Sequence, residues 1–167
     1  MKKRLLTCLC VLTMAGLLFT GCGSNEPTTQ EVTTEAKVES ATATTLEDGV
    51  YEVDFSTDSS MFHVNEACEG KGKLTVENGQ MTIHISLSSK NIVNLYPGLA
   101  EDAQKDGAEI LQPTTDEVTY SDGTTEEVYG FDVPVLGLEE EFDLALIGTK
   151  GKWYDHKVSV SNPVPQE

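Results

Sequence analysis

Apolar residues recur at every second position from Gly49 onward, and that period commits most of the chain to strands. Tyr51, Val53 and Phe55 alternate with Glu52 and Asp54. Met81, Ile83, Ile85 and Leu87 alternate with Thr82, His84, Ser86 and Ser88, and Phe142, Leu144 and Leu146 alternate with Asp143 and Ala145. Successive side chains of a strand point to opposite faces, so each run describes a strand with one face on a core and one in water. Sheets wet on one side are antiparallel. Asn78-Gly79 divides Lys73–Glu77 from Gln80–Ser88, and this dipeptide predicts a two-residue hairpin because the turn needs positive φ. Asp122-Gly123 and Lys150-Gly151 predict two more tight turns, and only Leu99–Lys105, stopped by Gly107, offers a short helix. About seven or eight short strands in about 115 residues predict an all-β fold, an immunoglobulin-like antiparallel β-sandwich.

The chain before Gly49 is of another kind. Met1-Lys2-Lys3-Arg4 is followed by an apolar run from Leu5 to Phe19 and then by Thr20-Gly21-Cys22. A basic stretch, an apolar segment too short to span a bilayer and small residues before a break make an export signal. Phe19-Thr20-Gly21-Cys22 resembles the bacterial lipobox, with phenylalanine where leucine is usual. The resemblance implies a lipoprotein signal peptide over residues 1–21, cleavage before Cys22, and diacylglycerol on the Cys22 sulfur. The expected location is the extracytoplasmic face of the cell membrane, lipid-anchored. Residues 22–46 are rich in Thr, Glu, Ala, Ser and Gln. They bury too little to offset their ordering entropy and read as a disordered linker, spanning on the order of 25–30 Å. Its threonines leave glycosylation open.

Charge narrows the partners. Loss of Lys2, Lys3 and Arg4 leaves eight basic residues against 28 acidic ones, a formal charge of about −20. Nucleic acid is excluded as a partner, because phosphate contact needs clustered Lys and Arg. An anionic lipid surface would repel the domain, so attachment to the membrane falls to the acyl chains, at about 0.8 kcal/mol per buried methylene. Cys8 and Cys10 leave with the signal and Cys22 is lipidated, so Cys68 is the one remaining thiol. No intramolecular disulfide can form, and the core alone must hold the domain.

Two clusters carry candidate chemistry. In Trp153-Tyr154-Asp155-His156-Lys157-Val158-Ser159-Val160, alternation puts Tyr154, His156, Val158 and Val160 on one face. The phenol and imidazole are either hydrogen-bonded core groups or ligands for something bound. In Ser59-Ser60-Met61-Phe62-His63-Val64, Met61 and Phe62 either plug one end of the sandwich or form a lip over a flat apolar ligand, with Ser60 as donor. Met61, His63, Cys68 and His156 together would suit a soft metal ion, although a small buried thiol is the simpler account of Cys68. His84, among Thr82 and Ser86, reads as a solvated surface histidine without a role. The acidic pairs and runs at Glu126-Glu127 and Glu139-Glu140-Glu141 read as solvated turns, and Asp116 to Glu127 lacks the spacing of a calcium loop. Of Lys71, Lys73, Lys150, Lys152 and Lys157, the first four flank turns or strand starts, either pairing with carboxylates of a ligand or keeping strand ends soluble. There is no Gly-x-Ser-x-Gly elbow, phosphate-cradling loop or His-Glu-x-x-His, so an enzyme is not expected.

The order of these segments resembles a near-iron-transporter (NEAT) domain over residues 47–161, with 162–167 as a C-terminal tail. Asp48-Gly49-Val50-Tyr51-Glu52-Val53-Asp54-Phe55 is similar to that family's first strand. The Ser60-Met61 lip, Gly72-Lys73-Leu74-Thr75-Val76-Glu77-Asn78-Gly79 and the closing Tyr154-Asp155-His156 strand follow in the family's order, while Asn94–Pro113 is longer and more helical. The resemblance implies a Gram-positive surface domain that binds haem and hands it toward an importer. Its iron ligand is the first tyrosine of a Tyr-x-x-x-Tyr pair, which maps onto Tyr154. The second tyrosine is Val158 here, and His156 between them could substitute or ligate directly, which makes Tyr154 and His156 the expected metal ligands. The serine-containing lip, which contacts a haem propionate in the family, maps onto Ser59, Ser60 and Met61.

Three functions follow. The first is a cell-surface lipoprotein that binds haem or a related iron compound for uptake through Ser59, Ser60, Met61, His63, Tyr154 and His156, with an importer or another surface protein as partner. The second is a non-catalytic immunoglobulin-like interaction module. The third is soft metal-ion capture. The first requires that Tyr154 and His156 look into a groove rather than into the packed core.

Overall fold

The computed structural model describes residues 46–167. The expected signal peptide, the lipidation site Cys22 and the linker as far as residue 45 lie outside the described residues. Within them the chain is an all-β, immunoglobulin-like sandwich of two antiparallel sheets. Strands β1 (Gly49–Thr57), β2 (Lys71–Glu77) and β3 (Gln80–Ser86) form a meander. After β4 (Ile92–Tyr96) and a single helical turn α1 (Ala100–Ala103) come β5 (Thr114–Thr119) and the long β6 (Thr125–Val135). The chain ends with β7 (Glu141–Asp143), β8 (Ala145–Gly148), β9 (Trp153–Tyr154) and β10 (Lys157–Pro165). The large sheet has the order β5-β6-β3-β2-β1-β10-β7 and the small one β4-β8-β9.

The expected turns are where the residue types put them. Asn78 (φ 52°) and Gly79 (φ 75°) connect β2 to β3, both in the left-handed region that the two-residue turn needs. Gly123 connects β5 to β6 and Gly151 connects β8 to β9, each donating its N–H back across its turn. Helix α1 covers the middle of the expected Leu99–Lys105 segment.

The strand count rises to ten because two runs that read as single strands each serve both sheets. In Phe142–Leu146 the chain pairs with β10 as far as Asp143 and with β4 from Ala145. In Trp153–Val160 it pairs with β8 as far as Tyr154 and with β1 and β7 from Lys157. The two crossings are tied together, since the Leu144 N–H donates to the His156 carbonyl at 3.0 Å. Strands that change sheets in this way close the corners of a sandwich. Strand β10 also runs past residue 161: Val164 and Pro165 lie opposite Glu52 and Tyr51. The segment expected as a tail from 162 is therefore sheet as far as Pro165.

The inward residues of both sheets make one core. Val53, Leu74, Ile83, Ile85, Phe131, Val133, Val158 and Val160 come from the large sheet, and Leu95 and Leu146 from the small one. Asn65 is the one buried polar residue of the described chain. It is satisfied: its amide donates to the Leu87 carbonyl and the Tyr120 hydroxyl, and its oxygen accepts from the Ala67 N–H. Cys68 is a free, part-buried thiol. Burial first, and then the nearby Asp116 charge, push its pKa up, which keeps it protonated and unreactive.

Candidate functional site

One end of the sandwich is open. A groove of about 620 Å³ runs between the loop after β1 and the β8–β9 hairpin, within the usual range for small-molecule sites, roughly 300–1,000 Å³. Its apolar surface comes from Met61, Phe62, Ile92 and Leu146, and its polar groups include Ser59, Tyr154 and His156.

The loop is shaped by its own hydroxyls. Strand β1 ends at Thr57, whose Oγ1 donates to the Phe62 carbonyl at 2.6 Å and accepts from the Ser59 N–H at 3.1 Å. Ser59 Oγ accepts from the Met61 and Phe62 N–H groups, both at 3.2 Å. These bonds divide the two apolar residues. Phe62 points into the core, edge-on to Phe55 at 6.0 Å, while Met61 is 85 % exposed at the groove. The expected alternatives, plug and lip, are thus taken by one residue each. Ser60 is exposed and does not line the groove; Ser59 does.

The opposite wall comes from the second crossing. Exposure rises along the face that Tyr154 shares with the valines. Val160 and Val158 are sealed in the core, His156 is 20 % exposed in its side chain, and Tyr154 is 45 % exposed. Neither ring is sealed among core neighbours. The alternation expected of one strand survives the break at Asp155–His156, and its inward face opens into the groove. His156 packs on Phe62 with ring centroids 5.8 Å apart. Lys152 Nζ lies 4.8 Å from the centre of the Tyr154 ring, a cation–π contact that holds an ammonium at the rim.

Asp58 is the functional neighbour that sequence reasoning missed. Its Oδ1 bonds His156 Nδ1 at 2.7 Å and its Oδ2 accepts from the Lys157 N–H at 3.1 Å. These bonds, the imidazole's first, hold the Asp58 carboxyl below the usual carboxylate range. An ionised carboxylate only accepts, so the His156 Nδ1–H donates to Asp58. Nothing in the sequence distinguishes Asp58 from the other acidic residues, because its partner lies 98 positions away.

The remaining candidates scatter. His63 Nδ1 bonds the Val64 carbonyl at 2.8 Å, and His63 does not line the groove. Cys68 sits in a separate depression with Lys71, Lys73 and His84. Met61 and His156 share the groove, but the soft-metal quartet is not brought together. Among the described residues no group of three or more His, Cys, Asp or Glu could hold a metal ion.

His84 is not simply solvated. Its Nδ1 bonds Asp132 at 2.8 Å and its Nε2 bonds Asp116 at 2.9 Å. Asp116 also accepts from Ser86 and Thr114. The acidic segment from Asp116 to Glu127, which lacks calcium-loop spacing, thus turns one carboxylate onto the outer face of β3. The chain matches no protein-family model and no curated protein.

Proposed function

We propose that this chain is a lipid-anchored surface protein whose groove binds haem or a closely related planar iron compound for uptake, as the resemblance to NEAT domains implies. The observation that carries the reading is the half-exposed Tyr154 phenol in an apolar groove beside His156 and under Met61. A flat macrocycle needs an apolar slot and one donor for its iron, and tyrosine is an axial haem ligand. Tyr154 would hold the iron. His156 would stand beside it with Nε2 available and Nδ1 fixed by Asp58, an arrangement that orients ligating histidines. Met61, Ile92 and Leu146 would cover the faces of the ring. The lipid on Cys22 would keep the domain at the membrane, where an importer could receive the cargo.

The residues fit a ligand held by one phenolate better than a bare ion, since the four soft donors lie apart. The test is a haem titration of the chain from residue 22 onward, the form that export would leave, carrying Cys22→Ser. Saturating haem should give a Soret band displaced from that of free haem, and Tyr154→Phe should weaken binding by tenfold or more, about 1.4 kcal/mol. An unshifted band would remove the haem reading and promote the interaction module.

A further inference from the structure

The groove differs from the rest of the molecule in charge. The whole chain carries 28 acidic residues, yet no aspartate or glutamate lines the groove. Asp58, which holds His156, is spent on that imidazole and on the Lys157 N–H. There are seven lysines and no arginine among the described residues. Four of the lysines are in ion pairs: Lys71 with Glu52, Lys90 with Glu127, Lys105 with Asp102 and Lys157 with Asp143. Of the other three, Lys150 and Lys152 both line the groove, either side of Gly151 in the β8–β9 turn. Lys152 is held there by the Tyr154 ring. A surface this acidic would normally spend such cations on neighbouring carboxylates. Leaving two uncommitted beside an apolar slot creates a local positive field in which nearby groups outweigh distant ones.

From this charge complementarity we infer that the groove takes an amphiphilic anion, with a flat apolar body and at least one acid group, and that Lys150 and Lys152 receive the acid. Met61, Ile92 and Leu146 hold the body, and the two ammonium groups at the rim meet the charge. The inference rests on the groove being the ligand site, as proposed above, but does not require iron or a macrocycle. A porphyrin dicarboxylate meets the description, and so does a smaller aromatic acid.

The test uses two probes with the same rings, anionic 1-anilinonaphthalene-8-sulfonate and neutral N-phenyl-1-naphthylamine, on the chain from residue 22 onward with Cys22→Ser. The anion should bind about tenfold more tightly than the neutral parent. Energy transfer from Trp153, the single tryptophan of the chain, should place the bound anion at the groove. Lys150→Gln with Lys152→Gln should bring the two probes to parity. Lys73→Gln, the third unpaired lysine and outside the groove, should change nothing. Equal binding of both probes to the parent chain would overturn the inference, as would binding of neither. An undiminished preference in the double variant would overturn it as well, and so would a matching loss in Lys73→Gln. The haem titration reads the Soret band and Tyr154, so haem failure with intact anion preference would remove only the iron reading.

Discussion

At the scale of single residues, His84 makes the clearest pH-dependent contribution to stability. Burial pulls its pKa down, but the hydrogen bonds and charges of Asp132 and Asp116 outweigh that and raise it above 6.5. For Asp116 burial pushes up, while Ser86, Thr114 and His84 together bring the carboxyl below 3.8. The signs follow by linkage. The stabilisation from His84 is complete below its unfolded pKa and fades as pH rises through the raised folded one. That from Asp116 is present above its unfolded pKa and fades as pH falls through the lowered one. The pair therefore stabilises most between about pH 4 and 6.5. Lys73 lies opposite His84 on β2. Because the imidazole is a third exposed, solvent screening holds the contribution to about 0.5–1 kcal/mol. Thermal melts should show stability falling as pH rises above about 6.5, and His84→Gln should flatten that slope. Gly130→Ala should flatten it too, since a Cβ there would stand 2.0 Å from Asp116 Oδ2 and displace the carboxylate. A slope unchanged in both variants would assign the pH dependence elsewhere.

At the scale of elements, what could be read from the sequence divides by range. The β2–β3 hairpin was legible because Asn78-Gly79 specifies its own backbone, and alternation was legible because it states which side chains face inward. Which strand lies beside which is not local information. Phe142, Leu144 and Leu146 keep one phase through the corner at Leu144, because both sheets face the same core and only the hydrogen-bonding partner changes. The same holds at Asp155–His156, so Tyr154 was legible as a neighbour of the inward valines, but the open end of the sandwich was not. Ser59 and Met61 were legible as a loop, whereas Asp58 depended on a contact across the whole domain. The second corner has a fastening of its own: Asp155 Oδ1 accepts the Ala100 N–H at 2.6 Å, joining the break in the last run to the start of α1. Leu99, the residue before that turn, offers no side-chain cap. Asp155→Ala should leave the part-buried Ala100 N–H without this partner and cost about 1–2 kcal/mol, read as a lower urea midpoint at unchanged m. A midpoint that does not move would mean that water replaces the carboxylate freely.

At the scale of the whole molecule, two fields act on any anionic ligand, and they differ in reach. The chain's formal charge of −17 repels an anion on approach, whereas Lys150 and Lys152 attract it only at the groove. Salt separates the two. The Debye length falls from about 30 Å at 0.01 M to about 8 Å at 0.15 M, so the repulsion of distant carboxylates is screened away while contacts a few ångströms long are screened much less. Association of 1-anilinonaphthalene-8-sulfonate should therefore speed up several-fold over that range in stopped-flow mixing, the reverse of electrostatic steering. Dissociation should respond chiefly to the contact lysines, becoming faster in the Lys150→Gln, Lys152→Gln variant at every salt concentration. Association that slows with salt would mean that the lysine field reaches beyond the rim. The acidic surface would then not be what the ligand meets first. A domain this acidic would thus admit anions slowly in dilute surroundings and faster at physiological ionic strength, retaining only those whose apolar body fills the slot between Met61 and Tyr154.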